Sequence, residues 1–299
     1  MRVIVAGSKG MLAKDLIPVL MESHEVLEFS KELFDITDIE GIEKIIKREK
    51  PDAVINCAAY TAVDRAESEP EKARVLNAKG PEILAKACCN AGARLVHVST
   101  DFVFDGKTPR PYKEDDAVNP IGVYGRTKLE GETAVRSLME NYVIVRTSWL
   151  YGNEGESFPK KILSKASAVE TLSVVFDQAG SPTYTVDLAR AIERLLSAPP
   201  GTYHFSNEGV ASWYDFAYAV IEAFKKRNVE FKLKTIKPVL TEEYLTPAGR
   251  PAYSVLDKAK YKRITGMVIP HWLDAVERYA ERKSADSPFF KGGRGIPSD

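Results

Sequence analysis

The first twenty residues constrain the fold more than any others. Met1 to Ala6 is apolar apart from Arg2, which suits one buried strand. Gly7-Ser8-Lys9-Gly10-Met11-Leu12-Ala13 follows and runs into a helical stretch ending near Leu20. Strand, glycine turn, helix is the opening of a doubly wound α/β sheet that binds a dinucleotide. Gly7 permits the tight turn. Gly10 lets the backbone approach a pyrophosphate held at the helix N-terminus, where Met11 and Leu12 lie. The spacing is Gly-x-x-Gly-x-x-Ala, and Ala13 is still small enough for helix to pack closely on sheet.

The 299 residues are enough for a large core in one sizeable domain or two modest ones. Lys plus Arg and Asp plus Glu each number 42, so no global basic field points to nucleic acid or an anionic membrane. Cys57, Cys88 and Cys89 lack zinc-site spacing and read as small side chains in a reducing compartment. The first strand begins almost at once, and no apolar run reaches the roughly 18 residues of a membrane span. A soluble, cytoplasmic protein is expected.

The second strand should be Glu25 to Phe29. NAD enzymes place an acidic residue at this strand's end, about 20 residues past the turn. Here the end reads Phe29-Ser30-Lys31, and a hydroxyl beside a cation suits a ribose 2′-phosphate, which favours NADPH. Glu28 and Glu32 are the acidic alternatives, so NADH stays open. Thr37 or Asp38 should cap a helix from Ile39 to Glu49. Ala53 to Ala59 is a third buried strand whose small end residues leave room for a flat ring or a neighbouring helix. Glu71 to Ala91 reads as a long helix that Gly80-Pro81 should kink or restart.

Two further runs carry candidate chemistry. Arg94 to Thr100 is strand-like and sets the Thr100 hydroxyl at a strand's carboxyl end, where open α/β sheets place their ligands. Tyr124-Gly125-Arg126-Thr127-Lys128 puts a phenol and an ammonium on one helix face, at i and i+4. A cation there favours the phenolate, lowering the tyrosine's pKa and making it a better acid near neutral pH. Glycine turn, strand-end hydroxyl and tyrosine–lysine pair together make a carbonyl-reduction site.

Later elements are less regular. Leu172 to Phe176 and Tyr203 to Asn207 read as strands, and Ser212 with Asp215 as a capping box opening a helix to about Arg227. A last amphipathic helix spans His271 to Lys283. Ser284 to Asp299 reads as a disordered or appended tail, with Phe289-Phe290 a docking segment as the alternative.

These runs resemble the extended, nucleotide-sugar-modifying branch of the short-chain dehydrogenase/reductases, and within it the dTDP-4-dehydrorhamnose reductase family. The resemblance rests on Asn56 to Glu67, on Ser99 to Gly106 (with Phe102 where Tyr is commoner), on Arg146 to Gly152, on Asp177 to Thr183 and on Arg250 to Asp257. It covers residues 1 to about 283. The expected architecture is a Rossmann-type doubly wound parallel sheet over residues 1–148, with returns at about 172–198. A smaller C-terminal substrate lobe would be built from 149–171 and 199–283.

The resemblance implies NADPH-dependent reduction of the 4-keto group of dTDP-4-dehydro-L-rhamnose. Thr100, Tyr124 and Lys128 would be catalytic, with Lys128 also on the nicotinamide ribose. Asp35 and Ile36 would lie against the adenine, Ala58, Ala59 and Tyr60 along the nicotinamide, and Asn77 would position the cofactor-side helix. Thr61, Val63, Asp101, Phe102 and Trp149 would meet the sugar. Arg250 would hold the diphosphate, its alternative being a surface ion pair. Relatives include Mg²⁺-bridged dimers, so Mg²⁺ and a homodimer stay open, with no ligands assignable. Two other functions stay open: a reductase or epimerase of a different nucleotide sugar, and a non-catalytic homologue like the methionine adenosyltransferase regulatory β subunit. Intact Thr100, Tyr124 and Lys128 argue against the second.

Overall fold

The computed structural model describes residues 1–286. Phe289-Phe290 and most of the expected tail lie outside them. The first half runs β1 (Arg2–Ala6), α1 (Met11–Met21), β2 (Glu25–Phe29), α2 (Ile39–Glu49), β3 (Ala53–Asn56), α3 (Val63–Ser68), α4 (Pro70–Arg74), α5 (Gly80–Ala91), β4 (Arg94–Thr100), α6 (Val123–Leu138) and β5 (Tyr142–Thr147). The second half runs β6 (Leu150–Tyr151), α7 (Phe158–Ala168), β7 (Thr171–Val175), β8 (Ala179–Gly180), β9 (Thr183–Tyr184), α8 (Thr185–Leu195) and β10 (Gly201–His204). It ends with β11 (Ala211–Ser212), α9 (Trp213–Lys225), β12 (Thr235–Val239), α10 (Ala259–Thr265) and α11 (Trp272–Asp286).

Six strands form one parallel sheet in the order β2-β1-β3-β4-β5-β10. Strand residues alternate between faces, so Val3, Val5, Ile55 and Val96 pack toward α1 and α8, while Ile4, Val54, Leu95 and Ile144 pack toward α2, α5 and α6. Burial on both faces explains the uninterrupted apolar runs. The chain steps from β1 outward to β2 and then returns to β3 on β1's other side. That reversal opens a crevice at the carboxyl ends of β1 and β3, where such sheets bind ligands.

Two lobe assignments change. β10 pairs with β5 and completes the main sheet, so Gly201–His204 is not part of the lobe. β7 pairs with β12 in a separate two-stranded sheet, so the strand from Leu172 belongs to the lobe rather than returning to the main sheet. Thr171 and Ser173 are exposed while Leu172 and Val174 are buried, the mark of a stretch covered on one face only. The lobe packs α7, α9 and α11 around Tyr151, Phe216, Phe224 and Tyr279.

Local signals resolve as follows. Asp38, not Thr37, caps α2, its carboxylate accepting from Gly41 N–H at 3.1 Å. The Ser212–Asp215 capping box is present. α5 starts afresh at Gly80 with Pro81 in its first turn, where a missing N–H costs no helical bond, and a π turn at Val75–Lys79 joins it to α4. α11 continues through Ser284 to Asp286, which are helical rather than tail.

Candidate active site

The glycine turn and the end of β3 meet at the crevice. Gly7 has φ +76°, and a Cβ there would lie 3.0 Å from the Ala58 nitrogen, so the turn needs a residue without a side chain. Both Gly7 and Ser8 donate N–H bonds to Phe29 O at 3.1 Å, tying the turn to β2. α1 has no side-chain cap and no acidic residue in its first turn. Its leading N–H groups, including those of Met11 and Leu12, have no partner within the helix and suit an anion. The Leu12 side chain itself is buried in the core. Cradle, open helix end and small Ala58 and Ala59 together fit a dinucleotide.

At the end of β2, Ser30 and Lys9 both bond Glu32, Lys9 at 3.1 Å. The Ser30 bond, then Glu32's own backbone N–H and Lys9, hold that exposed carboxyl at about 2. Lys31 is exposed beside this cluster. Asp35 accepts from the Thr37 N–H and hydroxyl, a local turn, and Ile36 is buried in the core. The Tyr60 hydroxyl donates to Glu69. Asn77, in the π turn, is a bracket: it accepts from Tyr60 N–H at 2.8 Å and donates to Tyr60 O (3.1 Å) and Thr127 Oγ1 (3.2 Å). It thereby fixes the loop after β3 to the helix that carries Tyr124 and Lys128.

α6 seats tightly because two of its glycines let backbone approach. A Cβ on Gly125 would fall 2.2 Å from Phe102 O, and one on Gly131 would fall 2.1 Å from Asn77 O. This brings Tyr124 over the end of β4, where the Phe102 and Tyr124 rings meet edge to face at 5.5 Å. The Thr100 hydroxyl donates to Asp101 Oδ1 at 3.1 Å, and both residues bear on the Tyr124 phenol. Thr100, Asp101 and Tyr124 therefore form one cluster, with Lys128 one turn further along α6.

Its electrostatics correct the expected acidity. Burial, partly offset by Thr100 and reinforced by the Asp101 charge, pushes the Tyr124 phenol up to about 12. Lys128 does not draw it down, because its Nζ turns inward, donating to Val98 O at 2.7 Å and lying 3.4 Å from His97 Nε2. Burial brings Lys128 down to about 8 against the opposing pull of Glu132 and Cys57. Burial likewise pushes Asp101 up to about 6 despite bonds from Ser254 and Thr100.

A raised carboxyl stabilises the fold fully below its ordinary value and loses that contribution as pH rises through about 6. Asp101→Asn should therefore be more stable than wild type above pH 6, by up to about 3 kcal/mol. The gap should close toward pH 4, which denaturant midpoints across pH would show. A constant gap would mean that Asp101 does not titrate there.

A cavity of about 410 Å³ opens beside this cluster, lined by Val63, Phe102, Trp149 and Arg250 together with Phe158, Lys161, Lys165 and Trp213. Trp149 sits at φ +47° and stacks on Trp213 with ring centroids 3.6 Å apart. Gly180 leaves room for the indole, since a Cβ there would lie 2.5 Å from it. Trp213 Nε1 donates to Gln178 Oε1 at 3.1 Å. Arg250 forms a two-pronged pair with Asp64 at 2.9 and 3.0 Å, so its resting partner is the ion pair, not a free fork. Lys161, Lys165 and Arg250 outnumber the single Asp64 carboxylate, leaving the cavity net positive. Thr61 is exposed and is not among the lining residues, and Thr100 and Asp101 are buried.

A protein-family model described as "RmlD substrate binding domain" matches residues 1–284. The chain belongs to this family. An RmlD-family relative, the dTDP-4-dehydrorhamnose reductase of Salmonella typhimurium, is 38% identical over 288 residues, 93% of this chain and 96% of the relative. The Bacillus subtilis spore coat polysaccharide biosynthesis protein SpsK is 41% identical over 286 residues, 95% of this chain and 98% of the relative. The crystal structure of dTDP-4-dehydrorhamnose reductase from Bacillus anthracis, solved in complex with NADP, superposes with a TM-score of 0.88 at 41% identity. It covers 94% of this chain and 99% of that one.

Within this RmlD-family fold, Lys161, Lys165 and Trp213 are lining residues that the sequence motifs did not single out. The i, i+4 spacing of the two lysines was a signal that both share one face of α7. Mg²⁺ finds no support: among the described residues no group of three or more His, Cys, Asp or Glu comes together as a metal site. Among them, too, no helix is long and apolar enough to cross a membrane.

Proposed function

We propose that the protein reduces the 4-keto group of dTDP-4-dehydro-L-rhamnose with NADPH, giving dTDP-L-rhamnose. The observation that carries the reading is Tyr124 beside Thr100 at the end of β4, with Lys128 one turn along α6 and Phe102 shared with a cationic, aromatic-walled cavity. Family membership and the NADP complex of the Bacillus anthracis reductase support it.

Gly7, Gly10 and the first N–H groups of α1 hold the pyrophosphate, Ser30 and Lys31 the 2′-phosphate, and Ala58, Ala59 and Tyr60 the nicotinamide side. When bound, the cofactor supplies hydride to the ketone carbon. The chain's task is the charge that then develops on oxygen. Tyr124 gives its proton to that oxygen, and Thr100 donates a second bond to it. A phenol pushed up to about 12 stays protonated at neutral pH, the state a donor needs, and an alkoxide is a stronger base than its phenolate. Trp149 and Trp213 offer flat apolar surface to sugar or base, and Lys161, Lys165 and Arg250 meet the diphosphate, with Arg250 exchanging Asp64 for phosphate oxygens.

Assay of dTDP-, UDP- and GDP-linked 4-keto sugars tests the substrate. The dTDP sugar should be turned over with kcat/KM at least about 100-fold higher than the others. Equal rates would reassign the base, and turnover of none would remove the reductase reading. Lys31→Ala should weaken NADPH binding about 5–20-fold, with less than about 2-fold change for NADH. Equal effects in titrations of both cofactors would refute the 2′-phosphate contact.

A further inference from the structure

Lys128 is held from behind by a buried polar chain that no step above uses. Ala58 N–H donates to Asn56 Oδ1 at 3.1 Å, which fixes the orientation of the amide. The Asn56 amide nitrogen, 3.2 Å from His97 Nδ1, then offers only N–H, so Nδ1 must accept. His97 is fully buried, and burial keeps its ring neutral. A neutral ring that accepts at Nδ1 carries its proton on Nε2. That N–H faces Lys128 Nζ at 3.4 Å. An ammonium has no lone pair to receive it; a neutral amine has one.

We propose that Asn56 and His97 are positioning residues that favour Lys128 as a neutral amine in the ligand-free protein and couple its protonation to cofactor binding. The inference rests on the cofactor site assigned above. A proton on Lys128 sets donor against donor at His97. Moving the ring proton to Nδ1 transfers the clash to Asn56, and flipping Asn56 breaks its bond to Ala58. One buried hydrogen bond is lost by every route. Ribose hydroxyls arriving at Nζ supply acceptors that the empty site does not offer. From α6, Glu132 draws Lys128 toward the charged form, but that carboxylate is committed to Ser99, Arg136 and Arg146. Cys57, beyond β3, pulls the same way, and its own thiol is pushed up to about 12 by burial. Tyr124 lies one turn away on α6, and Asp101, after β4, bears on Tyr124.

Protein labelled with ¹⁵N-histidine reads the tautomer directly, with His97 assigned by its absence in His97→Gln. Without ligand, His97 should show a protonated Nε2 and a bare Nδ1 from about pH 6 to about pH 9. A protonated Nδ1 overturns the proposal. Calorimetry of NADPH binding in buffers of different ionisation heat reads the coupling. At about pH 8 the wild type should take up about half a proton per NADPH bound. Asn56→Asp should take up less than half as much, because its second carboxylate oxygen accepts from Nδ1–H and turns Nε2 into an acceptor for the ammonium. Equal uptake by the two proteins overturns the coupling. If the wild type bound no NADPH, the cofactor reading and the coupling would both fall, while the tautomer would still be read.

Discussion

Tyr124→Phe is expected to lower kcat by about 10²–10⁴-fold while leaving the fold and NADPH affinity within about 2-fold of wild type. The substitution removes one hydroxyl. The phenyl ring that remains keeps the contact with Phe102, and Gly125 keeps α6 against the Phe102 carbonyl. What disappears is the proton that the reduced ketone oxygen takes. Thr100 can still donate a bond to that oxygen, so residual turnover above background is expected. Steady-state kinetics with a fluorescence titration of NADPH separates the two effects. Near wild-type kcat would remove Tyr124 from the acid role, and lost NADPH binding would make it a cofactor contact first.

Arg146→Met should destabilise the protein by about 3–5 kcal/mol at neutral pH, the largest single effect expected on the fold. Glu132 is wholly buried on the inner face of the active-site helix itself, and Arg146 meets it with two bonds at 2.8 and 2.9 Å. Burial alone would raise the Glu132 carboxyl, but the bonds from Arg146 and Ser99 overcome it and hold the group below its ordinary value. A lowered carboxyl contributes stability above its ordinary value and loses it as pH falls through the folded one. Without Arg146 the buried carboxylate keeps only Ser99 and the half-exposed Arg136, so the penalty should shrink as the solution is acidified. The double variant Glu132→Gln, Arg146→Met should recover most of the loss, because no charge is then left uncompensated. Guanidinium titrations of the three variants at two pH values check this. A loss below about 1 kcal/mol would mean that the Arg146 pair contributes little.

The glycine turn, the strand ends and the tyrosine–lysine pair were legible because each is a local rule: φ at Gly7, short apolar runs for β1 and β4, i to i+4 on α6. What escaped was set by tertiary partners. Tyr124 was expected to be acidified by Lys128, but spacing on a helix does not say which way an ammonium bends. Val98 O and His97, strand residues well upstream, decide that. Arg250 was expected on a diphosphate with an ion pair as the alternative, and the ion-pair partner it has at rest, Asp64, lies 186 positions upstream. Lys161 and Lys165 face the cavity because α7 packs its apolar face on β7 and α9, an arrangement that depends on β7 pairing with β12. The alternation along β7 was visible in the sequence, and it was the sign that this strand had left the main sheet.

The most direct test follows hydride and proton together. Protein, dTDP-4-dehydro-L-rhamnose and NADPH deuterated on one or the other face of nicotinamide C4 are incubated, and the product is read by mass spectrometry. One of the two labelled cofactors should place a single deuterium at C4 of dTDP-L-rhamnose, and Tyr124→Phe should form that product far more slowly. Product without deuterium from either cofactor, or no product beside intact NADPH, would contradict the account.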